Sequence, residues 1–218
     1  IREYLDKFGY KDTMITGCCP AQTPLFPNPM DMGGAFAYLN YITMVASLSK
    51  TNMVDLRSID EAAGVPSKEA NTVSYRSAKW IYDVVREQNI EIDIKGADVE
   101  EDITEREVRA IMDKVLDLGD GDVVEGTCRA VESGVMDSPW SPNLNIKDKV
   151  LGVRDAHGAC RYLEFGNLPF SEDIKDFHRE KIAEREKKEG RKADFHTTVR
   201  DLWTLSKGKI VGLPPYDK

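Results

Sequence analysis

Apolar positions recur at helical spacing along most of this chain and at strand spacing in a few short places. Phe36, Leu39, Thr43, Ala46 and Leu48 predict a helix over 33–50. Met53 to Leu56 is a short apolar run of the kind a buried strand makes, and Thr13 to Cys19 is a second one with a β-branched bias. Ser67 stands as N-cap before a helix reaching Gln88, with Trp80, Ile81, Val84 and Val85 expected on its inward face. Ile1 to Phe8 reads as the end of a helix that Gly9 stops. The order is helix, strand, long loop, helix, strand, loop, helix. That alternation belongs to an α/β protein with a parallel sheet.

Beyond Glu91 the pattern changes. Asp93, Asp98, Glu100, Glu101 and Asp102 lack the D-x-D-x-D-G order of a calcium loop, so they read as a solvated linker. Thr104-Glu105-Arg106-Glu107 is a capping box, which predicts that a helix opens at Thr104, its stripe formed by Val108, Ile111, Met112, Val115 and Leu116. Val123 to Ser133 is a second helix, stopped by Gly134, and Trp140 in the turn after it reads as a lid packed on a helix. Lys149 to Phe165 predicts a β-hairpin turning at Asp155–Gly158. Two charged helices follow, Ser171 to Lys188 and Asp194 to Ser206. Ile174, Phe177 and Ile182 mark the buried side of the first; Val199, Leu202 and Trp203 mark that of the second. The run Glu184 to Lys192 reads as a solvated face.

Charge narrows the function. A net charge of -8 over 218 residues argues against nucleic acid, because no basic stripe is available for phosphates. No apolar run is long enough to span a bilayer, and nothing reads as a signal peptide. Cys18, Cys19, Cys128 and Cys160 form no C-x-x-C pair and read as reduced thiols, which points to the cytoplasm. There is no G-x-S-x-G, P-loop or dinucleotide fingerprint. His178 and His196 have no second ligand near them in sequence, so no metal site is expected.

The chemistry therefore concentrates in the loops that leave the strands. Arg57 stands at the end of the Met53–Leu56 strand and Glu61 just beyond it, on the rim where parallel α/β proteins bind ligands. From residue types alone, a plain surface salt bridge between them is the simpler reading. The loop from Pro20 to Asp31 holds four prolines and is stiff; Phe26 in it is either a plug on the core or a ligand contact.

Arg57, three residues, then Glu61-Ala-Ala-Gly64-Val65-Pro66-Ser67-Lys68-Glu69-Ala70-Asn71 resembles the large (epsilon, or E) subunit of methylaspartate mutase, also called glutamate mutase. Gly126 to Asn143, Val153 to Phe195 and Ser206 to Pro214 support the resemblance, in the family's order. It implies a TIM (β/α)8 barrel, of which this chain holds the C-terminal portion. Residues 1–95 would be the last βα units and 96–218 a helical region carrying the hairpin near 149–165. It implies an isomerase of glutamate fermentation that interconverts L-glutamate and L-threo-3-methylaspartate. The mechanism would be radical, with adenosylcobalamin held between this subunit and a small cobalamin-binding subunit in a heterotetramer. Arg57, Glu61 and Val65 match the family's adenosyl-contacting positions, and Gln22-x-x-x-Phe26-Pro27 resembles the setting of an aromatic that touches the cofactor. The family usually has Lys where Arg57 stands. No catalytic residue of the family falls in this chain, and its substrate arginines lie upstream. With Ile1 in place of Met, the sequence reads as a fragment or a processed product. Asp155-Ala156-His157 imitates the start of the cobalt-ligating motif Asp-x-His-x-x-Gly, but Cys160 stands where that glycine belongs, so His157 is expected to be a turn residue. Two other readings stay open: a non-catalytic module that binds the cobalamin subunit, and a related mutase with another substrate.

Overall fold

The structure is a computed structural model that describes residues 1–20, 31–61, 64–204 and 207–212. It is mixed helix and sheet, in two compact units, Ile1–Asp93 and Ile94–Lys218.

In the first unit α1 (Arg2–Lys7) precedes β1 (Cys18–Pro20), α2 (Met32–Leu48), β2 (Met53–Asp55) and α3 (Lys68–Glu87). β1 lies parallel to β2, with Cys18 opposite Met53 and Pro20 opposite Asp55. The strand expected from Thr13 is thus confined to its last residues. The Asp31 carboxylate caps α2 by accepting from Gly34 N at 2.7 Å, and Ser67 caps α3 by accepting from Ala70 N at 3.1 Å. Packing of α2 on α3 is tied by polar bonds as well as by apolar area. Ser47 Oγ donates to the Tyr82 carbonyl at 2.9 Å, and Tyr82 Oη donates to the Thr51 carbonyl at 2.5 Å. The inward face of α3 is made of small residues: Ala70, Ser74 and Ala78, with Val85. Trp80, expected inward, is 66% exposed, because it lies off the Ala70–Ser74–Ala78 line that meets α2.

The second unit contains α4 (Ala97–Leu118), α5 (Val123–Ser133), β3 (Val150–Arg154), β4 (Cys160–Phe165), α6 (Glu172–Glu189) and α7 (Phe195–Thr204). β3 and β4 form an antiparallel hairpin with an irregularity between Leu151 and Gly152. Val150, Leu168, Phe170 and Ile174 form one core cluster, and Val115, Ala130 and Val135 another. α5 rests tightly on the end of α4: a Cβ on Gly126 would stand 2.1 Å from the Val115 carbonyl oxygen, so no larger residue fits. Asp122 caps α5, accepting from Val124 N and Glu125 N, and Gly134 ends it in the left-handed region at φ 75°.

Four expectations fail in this unit. α4 begins at Ala97, not at Thr104, with Gly96 before it at φ 84°. Thr104 is mid-helix, and its hydroxyl donates back to the Glu100 carbonyl at 2.8 Å. Asp98, Glu100, Glu101 and Asp102 are therefore the first turns of a helix, where the macrodipole favours them. The solvated run Glu184–Lys192 contains Arg185, which is 2% exposed. Its guanidinium forks onto Asp201 of α7 at 2.6 and 2.9 Å and donates to the Arg154 carbonyl of β3 at 2.6 Å. The buried side of α7 is accordingly Thr197, Thr198, Asp201 and Thr204, while Trp203 is 43% exposed.

Asp155 makes the hairpin turn. Its carboxylate accepts from His157 N at 2.8 Å and Ala159 N at 3.1 Å, and its other oxygen takes Arg161 Nε at 2.8 Å. His157 is an exposed turn residue. No helix among the described residues is long and apolar enough to cross a membrane.

Candidate functional site

The loop between β2 and α3 is built by short polar side chains that replace regular structure as its scaffold. Ser58 is buried, and its hydroxyl donates to Asp60, whose second oxygen accepts from Ser67 N at 2.9 Å. Asp60 thereby ties the strand end to the N-terminus of α3. Ile59 N donates to the buried Ser74 hydroxyl at 3.0 Å, which pins the loop to the second turn of α3, and Ile59 itself joins Ala35, Leu39 and Ala70 in the core. None of Ser58, Asp60, Ser67 or Ser74 stood out in the sequence as a site residue. The signal present was the Ser-x-Asp spacing ahead of a helix cap, an Asx-type arrangement.

Upon that scaffold Arg57 and Glu61 come together. Arg57 Nη1 lies 3.6 Å from Glu61 Oε1, and Arg57 Nη2 lies 4.0 Å from Asp55 Oδ2. The second Glu61 oxygen is 3.4 Å from the Ser58 amide. These bonds are long, and the side chains of Arg57 and Glu61 remain 44% and 35% exposed. The surface ion pair exists, but as a loose one whose worth at such exposure is at most about 1 kcal/mol. A carboxylate has about four lone-pair sites, so Glu61 keeps acceptor capacity for hydroxyl donors. Val65 follows on the same loop and is 96% exposed, an apolar side chain with no cover of its own. Phe26 lies outside the described residues.

The Ser58 hydroxyl, then the Ser67 amide, hold the Asp60 carboxyl below the ordinary carboxylate range. The group is depressed in the folded chain. Its contribution is therefore complete above the unfolded value of about 4 and is lost as pH falls through the lowered folded value. The loop is expected to keep its order down to about pH 4 and to loosen below it. A carboxyl-carbon NMR titration reads this directly; an Asp60 midpoint at or above that of a free aspartate would defeat the expectation.

Among the described residues no group of three or more His, Cys, Asp or Glu could hold a metal ion, and all four cysteines are free thiols. What the loop offers is a carboxylate acceptor, a guanidinium and a bare apolar side chain at the C-terminal end of a parallel strand. Those are recognition groups and not a nucleophile with its base.

The family described as Methylaspartate mutase E chain (MutE) matches residues 1–214. A protein of Desulfitobacterium hafniense (strain Y51) named glutamate mutase epsilon subunit is 41% identical over 212 residues, covering 97% of this chain and 43% of that protein. Proteins of the same name from Treponema denticola and Escherichia coli O157:H7 are 38% and 35% identical, over 98% and 97% of this chain and 43% and 44% of theirs. The chain thus spans less than half the length of these curated relatives. With a match over nearly all its residues, the chain belongs to the methylaspartate mutase E chain family.

Proposed function

We propose that this chain is the C-terminal part of the large subunit of an adenosylcobalamin-dependent isomerase that interconverts L-glutamate and L-threo-3-methylaspartate. The observation that carries the proposal is the β2–α3 loop. It presents Glu61 with spare acceptor capacity beside an exposed Val65, the pairing that a nucleoside asks for with its hydroxyl donors and flat apolar base. The residues present therefore fit an adenosyl group. When bound, that cofactor supplies the radical chemistry. Glu61 would accept the ribose hydroxyls. Arg57, 3.6 Å from it, would steady the Glu61 carboxylate, and Val65 would shield the base from water. Phe26 is a further cofactor contact on the resemblance of its sequence setting. Residues 1–95 supply the last βα units of a TIM barrel, since a two-stranded parallel sheet is otherwise rare outside a larger covered sheet. Residues 96–218 form the C-terminal region. The small cobalamin-binding subunit is the partner, in the cytoplasm, in a heterotetramer.

The test uses the natural full-length product that contains this sequence, mixed with the small subunit and adenosylcobalamin. Interconversion of the two amino acids is the expected result. Turnover of a different acid alone would make it a related mutase, and subunit binding with no turnover would make it an interaction module; either overturns the proposal.

A further inference from the structure

The second unit holds a cleft of about 410 Å³ that uses none of Arg57, Glu61, Val65 or Phe26. Its size is that of a small-ligand pocket. α4 and β4 contribute most of its polar wall, and Ile103, Val150, Pro139 and the ring of Tyr162 its apolar part.

Charge in the cleft is unbalanced. Among the lining residues only Arg161 carries a guanidinium or ammonium, and its side chain is 5% exposed. Every arm of it is engaged: Nε with Asp155 at 2.8 Å, Nη1 with Glu100 at 2.6 Å, and Nη2 with both carboxylates. Burial alone would lower its pKa, but its hydrogen bonds to Glu100 and Asp155 more than reverse this, so Arg161 stays charged and neutralised. Its two carboxylate partners already balance its charge, which disfavours an anion there.

Glu107 is a different case. It lines the same cleft with its side chain 15% exposed, and one oxygen lies 2.5 Å from His178 Nε2. Its other oxygen has no partner among the described residues. His178, also lining the cleft, is 3% exposed, and its Nδ1 is buried with no hydrogen bond. Buried polar atoms are normally paired. Here an imidazole is held edge-on to Tyr162 at 5.1 Å with one nitrogen unsatisfied, and its single bond goes to Glu107. That bond fixes one Glu107 oxygen and leaves the other to accept from a donor at the cleft. Two lining carboxylates, Glu100 and Glu107, stand against the one lining guanidinium, which Asp155 also shares.

We propose that this cleft binds a small primary ammonium compound with an apolar body. The ammonium donates to the free oxygen of Glu107, and the body lies against Ile103, Val150 and Tyr162. His178 is a positioning residue for Glu107.

Cys160 provides the readout, because it lines the cleft and is exposed, whereas Cys128 on α5 is exposed and does not line it. The unmodified chain is alkylated with iodoacetamide and both peptides are followed by mass, with n-butylammonium, n-butanol or butyrate as probe. With butylammonium at twice its Kd, Cys160 labelling is expected to slow about threefold and Cys128 labelling to stay unchanged. Glu107→Gln, which keeps an acceptor for His178, is expected to abolish the protection. Equal labelling with and without butylammonium would overturn the proposal. So would equal protection by butanol, protection by butyrate instead, or protection retained in Glu107→Gln. The three-probe comparison decides the matter even where that variant fails to fold.

Discussion

Replacing Arg185 with alanine is expected to cost the protein about 3–5 kcal/mol of stability, the usual loss when one partner of a buried ion pair is removed. The reason lies in what the guanidinium holds together. It joins α6 to α7 through Asp201, to β3 through the Arg154 carbonyl, and to Glu189 at 2.8 Å on its own helix. Asp201 also accepts Arg154 N at 2.7 Å, so both backbone groups of Arg154 are satisfied by this pair. Without Arg185, the buried Asp201 would lose the guanidinium that forks onto it and the Arg154 carbonyl would lose that donor. A loss of that size is a large fraction of the roughly 5–15 kcal/mol that stabilises a domain. Arg185→Lys is expected to recover only part, since an ammonium cannot fork onto two carboxylate oxygens and reach a carbonyl as well. Urea unfolding of both variants measures this. A change below about 1 kcal/mol for the alanine variant would mean that the pair contributes no more than an exposed one.

Glu61→Ala, made in the proposed two-subunit mutase, is expected to lower turnover by about 10²-fold, the scale that misplacing a reacting group by an ångström can produce. The substitution removes a side chain that carries no core packing and whose ion pair with Arg57 is long and exposed. Stability should therefore move by no more than about 0.5 kcal/mol. Cofactor uptake, followed by absorbance, should survive, because the rest of the loop is held by Ser58, Asp60, Ser67 and Ser74 and not by Glu61. Lost turnover with an intact fold and retained uptake would place Glu61 in positioning. Unchanged turnover would remove it from the site, and lost folding would show that the loop needs it structurally.

The two substitutions differ in how their reasons could be seen. Arg57, Glu61 and Val65 were picked out by the family resemblance of their stretch, whereas residue types alone offered only a surface salt bridge between Arg57 and Glu61. Local order in the chain is enough to bring such residues to one rim. Asp60 was on the same page, yet its role depends on Ser67 and the turn between them. Arg185 was hidden. It stands in a run of Lys and Glu that looks like any solvated helix face, and its partner Asp201 is on another helix. The cleft was hidden for the same reason: Glu107, Arg161 and His178 come from α4, β4 and α6.

Sequence alone determined what short-range physics controls. Ser67 starts α3, Gly134 stops α5, and the alternation around Asp155–Gly158 makes the hairpin, because caps, turns and side-chain period act within a few residues. Even there it misplaced the start of α4, since the capping box at Thr104 is satisfied as well by a helix interior and the acidic stretch before it gains from the helix dipole. Tertiary structure alone decided which charges are buried. A charged side chain enters the interior only where partners from other elements replace its water, as Asp201 does for Arg185 and as Asp155 and Glu100 do for Arg161. Those partners lie tens of residues away for Glu100 and Arg161, beyond the reach of any local pattern.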